Sequence, residues 1–130
     1  MIADTSFLID IMVNDPSAIR KAMEIEKRGS AISVGSPTIF ELCVRISLSR
    51  KPEEERSKIL SVVASLPQLP LDFQSACAGG SIYVEKIKAG VKIDPEDAMI
   101  AGIAKIRGED IITRNTKHFE GIQGVTIERY

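Results

Sequence analysis

The fold is decided by the segment Met1-Ile2-Ala3-Asp4-Thr5-Ser6-Phe7-Leu8-Ile9-Asp10. It predicts a very short buried strand over residues 1–3 that runs directly into a helix from about Thr5. A strand without polar alternation is typical of a parallel sheet that is covered on both faces. Asp4 then falls at the carboxyl end of the strand, which is the edge where ligands bind in open α/β sheets. An Asp there also suits a helix cap, so the segment alone leaves both roles open.

The composition predicts one globular domain spanning residues 1–130. Apolar residues make up 44% of the chain, and 17 basic and 18 acidic residues give a net charge of −1. That apolar fraction argues against disorder, and the charge gives no general attraction to nucleic acid. Phosphate binding would therefore depend on local basic residues or a bound metal.

The chain shows no pattern of a secretory leader or a membrane span, so we expect a cytoplasmic protein with no membrane partner. Cys43 and Cys77 both fall in predicted helices. We expect them to be reduced core residues, because two helical cysteines without metal-ligand spacing are typical of that role.

Strand and helix patterns alternate along the rest of the chain. Further strands are predicted at residues 31–34, 68–71, 110–113 and 125–127. Helices are predicted at residues 17–28, 37–49, 53–66, 73–89 and 96–107, with an interruption at Gly79-Gly80 and with Ser36 and Asp94 as N-caps. This alternation, with more helix than strand, predicts a three-layer α/β fold with a mainly parallel central sheet of about five short strands.

Two acidic residues occupy positions where a carboxylate is costly. Glu41 shares its helix face with Pro37, Val44 and Leu48, although an ion pair with Arg45 one turn later offers a structural explanation. Asp97 shares a face with apolar residues of the last long helix. A helix-dipole role is the structural explanation there, but Asp94 and Glu96 already meet that need.

Asn115 follows the predicted strand 110–113 directly, in Thr113-Arg114-Asn115. It would lie at the same sheet edge as Asp4, although Asn is also a common turn residue. Carboxylates that converge on one edge repel one another unless a cation lies between them. Oxygen ligands suit Mg²⁺ or Mn²⁺ rather than zinc. If the acids meet in space, the residues predict a metal-dependent enzyme that acts on a phosphate ester.

Four short motifs in order resemble the PIN-domain ribonucleases. They are Ile2-Ala3-Asp4-Thr5-Ser6, the helical Glu41, Asp97-Ala98-Met99-Ile100-Ala101 with Ala104, and Thr113-Arg114-Asn115-Thr116-Lys117-His118-Phe119. The match spans the whole chain, and its size and order resemble the VapC-type toxins of toxin–antitoxin systems. The resemblance implies a three-layer α/β/α PIN-like fold for a single domain, 1–130.

The resemblance also implies an activity and partners. These are Mg²⁺- or Mn²⁺-dependent cleavage of RNA, a homodimer, and a small antitoxin protein that blocks the site. By position, Asp4 and Asp97 would be the principal metal ligands and Glu41 the third acid. Asn115 stands where many relatives have an acid, which leaves the number of metals open.

Supporting roles follow from the same resemblance. Asp94 would supply a supplementary carboxylate, and Thr5, Ser6 and Thr113 would orient ligands or water. Arg114 and Lys117 would hold RNA phosphates through charge rather than by reading bases, with surface solvation as the alternative. The chemistry would be in-line attack on a phosphodiester by metal-activated water. The single histidine, His118, is either a proton donor or a loop residue that packs near Phe119.

Other readings remain open from the sequence. A housekeeping RNA-processing PIN nuclease and a catalytically silent PIN-like binding module would share these motifs. A phosphatase of the haloacid dehalogenase group would need a second Asp two residues after the first, and Ser6 stands there.

Overall fold

The computed structural model describes residues 1–130 and contains five strands and seven helices. The strands are β1 (Ile2–Ala3), β2 (Ser33–Gly35), β3 (Gln68–Leu69), β4 (Ile111–Thr113) and β5 (Ile127–Arg129). The helices are α1 (Thr5–Met12), α2 (Pro16–Lys27), α3 (Ser36–Leu48), α4 (Pro52–Val63), α5 (Phe73–Lys88), α6 (Pro95–Arg107) and α7 (Thr116–Phe119).

All five strands are parallel and lie in the order β3-β2-β1-β4-β5. The two-residue β1 is the central strand, and Ile2 pairs with Ser33 on one side and Ile111 on the other. This sheet confirms the predicted three-layer α/β fold. The carboxyl ends of β1 and β4 are adjacent, which brings the residues that follow them to one edge.

Alternate strand residues point to opposite faces of the sheet and build two cores. Ala3 and Ile112 belong to one core together with apolar residues of α1 to α4. Ile2 and Ile111 belong to the other, together with residues of α5, α6 and α7. Both faces of β1 are therefore covered, which explains why its sequence shows no polar alternation.

Helices α5 and α6 pack closely through glycines. A Cβ atom on Gly102 would lie 2.3 Å from the Ser75 carbonyl oxygen and 2.7 Å from the Gly79 nitrogen. A Cβ on Gly79 would lie 2.9 Å from the Ala98 carbonyl oxygen. The predicted interruption at Gly79-Gly80 is wrong, because α5 runs unbroken through both residues. Gly79 instead permits the close approach of α5 to α6.

The sequence misplaced three other local features. Strand β5 lies two residues later than predicted, because Ile127 is the partner of Ile111 in the parallel register. Helix α7 was not predicted, since four residues are too few to show a helical period. Ser36 is the first residue of α3 rather than its N-cap, and its hydroxyl lies 3.3 Å from the Leu69 oxygen and the Leu71 nitrogen.

The expected core position of the cysteines is also wrong. Cys43 and Cys77 are free thiols, and both are exposed, because α3 and α5 turn these positions toward solvent. No helix combines the length and the apolar character that crossing a membrane requires.

Candidate active site

Asp4 lies at the carboxyl end of β1 and is only 3% exposed. Its Oδ1 accepts a hydrogen bond from the Thr5 N–H at 2.7 Å, which caps α1. Its Oδ2 accepts from the Ser6 hydroxyl at 2.8 Å and from the Thr113 hydroxyl at 2.7 Å. Asp4 is therefore both a helix cap and a carboxylate held rigidly at the sheet edge, so the two roles left open by the sequence coexist.

Glu41 projects from α3 and is half-buried. The Thr5 hydroxyl donates to its Oε2, and the Thr38 hydroxyl lies 3.4 Å from that of Thr5. The ion pair with Arg45 is not formed, because Arg45 contacts Glu55 of α4 instead. Burial raises the pKa of Glu41 above its usual range, although the hydrogen bond from Thr5 opposes this.

Asp97 is the third carboxylate, and helix α6 contributes it. It lies in the first turn of α6 and is 8% exposed. Its Oδ2 is 2.6 Å from Nδ1 of His118 in α7. Burial, reinforced by the negative charge of Asp4, raises the pKa of Asp97 to about 6, against the opposing effect of His118.

The three acids come together at one edge of the sheet. Asp4 raises the pKa of Asp97, and both Asp97 and Asp4 raise the pKa of Glu41. These effects require the carboxylates to be close, because charge interactions fall off with distance and are screened by water. The arrangement concentrates negative charge in a partly water-excluded place, where a cation would bind favourably.

Asn115 and Asp94 differ from these three acids in being exposed. Asn115 follows β4, its side chain is exposed, and its N–H donates to the Thr113 hydroxyl at 2.9 Å. Asp94 occupies the N-cap position of α6, but its exposed side chain makes no capping hydrogen bond. Its carboxylate is therefore not committed to the helix.

The two basic candidates differ in their surroundings. Arg114 forms ion pairs with Asp10 at 2.9 Å and Asp15 at 3.4 Å, and its guanidinium lies 5.3 Å from the centre of the Tyr130 ring. Its charge is therefore largely engaged within the protein. Lys117 is exposed at the start of α7.

Comparison with known proteins places this constellation in a family. The family model described as PIN domain matches residues 1–124. A tRNA(fMet)-specific endonuclease VapC of Shigella flexneri is 33% identical over 125 residues, which cover 96% of this chain and 93% of the relative. The chain belongs to the PIN domain family, VapC type. The ribonuclease VapC2 of Rickettsia felis is 26% identical over 129 residues, covering 98% of this chain and 95% of the relative.

Solved structures agree with this assignment. The DNA-bound VapBC of Salmonella typhimurium matches this PIN domain with a TM-score of 0.86 and 32% identity, covering 98% of this chain and 96% of that chain. VapBC2 of Rickettsia felis, bound to a promoter DNA fragment, matches with a TM-score of 0.88 and 22% identity, covering 99% and 97%. The second match supports the fold alone.

The donor chemistry of this PIN domain suits the divalent metal that the family implies. The converging ligands are carboxylate oxygens, which Mg²⁺ and Mn²⁺ prefer. No group of three or more His, Cys, Asp or Glu side chains is arranged to hold a metal ion by itself. Mg²⁺ takes one or two carboxylates and fills its remaining positions with water and substrate phosphate, so Asp4 and Asp97 fit that requirement.

Sequence reasoning missed two contacts of this PIN domain. The contact between His118 and Asp97 depends on α7, which no periodic pattern revealed. The signal that would have found it is Phe119, a large apolar residue that is fully buried and fixes the short helix against the core. Thr38, fully buried beside Thr5, gave no signal at all.

Proposed function

We propose that this chain is a Mg²⁺- or Mn²⁺-dependent endoribonuclease, and that it is the toxin of a toxin–antitoxin pair. One observation carries the proposal: Asp4, Glu41 and Asp97 lie at the carboxyl edge of a PIN-domain sheet, close enough that the charge of Asp4 raises the pKa of Asp97 and that both charges raise the pKa of Glu41. The relative at 33% identity is a tRNA-specific endonuclease, which supports RNA as the substrate and hydrolysis of a phosphodiester bond as the reaction.

Asp4 and Asp97 would hold the metal, with Glu41 as the third acid. When bound, the metal lowers the pKa of a coordinated water and offsets charge on the phosphate. The chain's own residues fix the acids in place. Ser6 and Thr113 hold one oxygen of Asp4 from two different elements, so the carboxylate cannot rotate without breaking both bonds.

Thr5 couples two of the acids. Its N–H donates to Asp4 while its hydroxyl donates to Glu41. A single residue at the start of α1 therefore sets the position of the α3 carboxylate relative to the β1 carboxylate. Such preorganisation lets the site meet charge that develops on the phosphate without rearrangement. Among the remaining candidates, Lys117 is the better placed to contact an RNA phosphate, because Arg114 is already paired.

Protein partners are part of the proposal. The structural neighbours include VapBC toxin–antitoxin complexes, which supports a small antitoxin. Helix α3 exposes large apolar side chains beside Glu41, with Phe40 58%, Val44 42% and Leu48 81% exposed. Apolar clusters of this kind mark protein-interaction surfaces. We propose that the chain is a homodimer in the cytoplasm. An antitoxin would bind it and block its ribonuclease activity.

A cleavage assay tests the activity. The purified chain is incubated with initiator tRNA in the presence of Mn²⁺, and the products are resolved on a denaturing gel. We expect cleavage that chelator abolishes and that Asp4→Asn reduces by about 100-fold or more, since several kcal/mol of transition-state stabilisation depend on the site.

The matched control is Glu53→Gln, which removes an exposed acid from the first turn of α4. We expect it to cleave like the wild type. RNA binding without cleavage of any tRNA or messenger RNA, unaffected by Asp4→Asn or by Mn²⁺, would contradict the proposal and identify a silent binding module. Cleavage by purified chain that leaves growth unaffected when the chain is expressed alone would identify a housekeeping nuclease.

A further inference from the structure

The only histidine of the chain contacts an acid of the candidate active site. Nδ1 of His118 lies 2.6 Å from Oδ2 of Asp97, and the His118 side chain is 37% exposed whereas that of Asp97 is 12% exposed. When Asp97 is ionised, its carboxylate can only accept, so Nδ1 then carries the hydrogen and donates it. This contact joins α7 to α6 across 21 residues of sequence.

Helix α7 holds the imidazole in place although it is only four residues long. Phe119, the next residue, is fully buried in the core formed with α6. The backbone N–H of His118 donates to the Asn115 carbonyl at 3.2 Å, and the backbone N–H of Glu120 donates to the Thr116 carbonyl at 2.9 Å. The backbone that carries His118 is thus fixed by packing on one side and by hydrogen bonds along the turn.

The hydrogen-bond pattern of Asp97 differs from that of Asp4. Asp4 accepts three hydrogen bonds, which use both of its oxygens. The only side-chain hydrogen bond to Asp97 comes from His118, and it occupies Oδ2 alone. Without that bond, nothing from another element would fix the rotation of the Asp97 carboxylate. With it, Oδ1 is the oxygen that remains available to a cation.

We infer that His118 is a positioning residue for Asp97: by holding Oδ2, it fixes the orientation of the carboxylate and leaves Oδ1 free to bind the divalent metal. The inference rests on the proposed function, because it requires a metal at Asp97. Carboxylates that bind metals are themselves commonly hydrogen-bonded, and loss of such a partner typically costs about 10–100-fold in metal affinity. His118 acts through Asp97 and does not touch the substrate.

Calorimetric titration of the full chain with MnCl₂ tests the role through metal affinity rather than activity. We expect His118→Ala to weaken Mn²⁺ binding by about tenfold or more. His118→Asn places an amide N–H near the position of Nδ1 and should restore most of the affinity. His118→Gln places its N–H nearer to the position of Nε2 and should not. Glu120→Ala, an exposed neighbour, is the control and should bind Mn²⁺ like the wild type.

The outcomes separate this inference from the proposed function. Absence of saturable Mn²⁺ binding by the wild type would overturn both. Binding that Asp97→Asn abolishes but His118→Ala leaves unchanged would overturn the positioning role alone. Loss of affinity in both His118→Ala and His118→Asn would also overturn it, because direct ligation by the imidazole would then be indicated. Melting curves of each variant without metal test whether the fold survives. Because His118 is partly exposed, we expect each variant to remain folded.

Discussion

Replacement of Asp97 by Asn should stabilise the metal-free protein at neutral pH. In the folded chain, burial and the charge of Asp4 raise the pKa of Asp97 from its ordinary value of 3.8 to about 6. The folded state therefore binds this proton more tightly than the unfolded state. The resulting stability is fully present below about pH 4 and is lost as the pH rises through 6.

The magnitude follows from the two pKa values. At 1.36 kcal/mol per pH unit, the interval from 3.8 to about 6 corresponds to about 3 kcal/mol. Asparagine keeps the shape of the side chain and has no charge to bury, so Asp97→Asn should recover about 2–3 kcal/mol at pH 7. For a chain of this size, that gain raises Tm by about 6–15 °C.

Urea denaturation at a series of pH values, with chelator present throughout, measures the effect. The difference in the free energy of unfolding between Asp97→Asn and the wild type should be small at pH 4, grow up to about pH 6 and stay constant above it. Glu53→Gln is the control, because Glu53 is an exposed acid in the first turn of α4. It should change the free energy of unfolding by less than about 1 kcal/mol. A variant that is less stable than the wild type at pH 7, or a difference that does not vary with pH, would refute the reasoning.

Two further predictions concern the packing of α5 on α6 and the hydrogen bond that joins Tyr130 to α1. Gly102→Ala should destabilise the fold by about 3 kcal/mol or more, because the new Cβ would lie 2.3 Å from a backbone oxygen of α5. Gly80→Ala is the matched control, since a Cβ there has open space around it, and it should stabilise α5 by about 1 kcal/mol. Equal Tm changes for the two variants would contradict the close packing of α5 on α6. Tyr130→Phe removes the 2.6 Å hydrogen bond from the tyrosine hydroxyl to Asp10 and should lower the free energy of unfolding by about 1–3 kcal/mol, which urea denaturation measures. An unchanged urea midpoint would show that this bond adds nothing to stability.

The fold followed closely from local signals. The unbroken apolar residues of β1 and β4 required a sheet covered on both sides, and Pro95 marked the beginning of α6. The bounds of elements with weak local sequence patterns were predicted less accurately. Strand β5 is half-buried at the sheet edge, so its position is set by pairing with β4 and not by its own hydrophobic pattern.

The sequence indicates candidate site residues where a carboxylate lies on an otherwise apolar helix face. Asp97 stood out because a third carboxylate in the first turn of a helix on an apolar face has no structural need. Glu41 stood out on a face that proved to be partly solvent-exposed, since Val44 and Leu48 of that face lie outside the core. A carboxylate on such a face is not costly, so the helix pattern indicates a functional role for Glu41 less strongly than for Asp97.

Contacts between distant elements could not be predicted in this way. Arg114 was expected to be available to phosphates, but Asp10 and Asp15, which pair with it, lie about one hundred residues earlier in the chain. The Tyr130 ring packs edge-on against Phe7 at 4.9 Å. Nothing in the local sequence of either residue indicates that contact, because it exists only once the sheet has closed.

The pairing of β1 with β4 also sets an order of events during synthesis. Thr113 follows Asp4 by 109 residues, which takes roughly 5–20 s at synthesis rates of about 5–20 residues per second. Throughout that interval, Asp4 has neither its backbone hydrogen bond to Ile112 nor the Thr113 hydroxyl. An unfinished chain that ends before β4 therefore carries Asp4 without the strand that aligns it. The nascent polypeptide gains its assembled site only when β4 has emerged and folded.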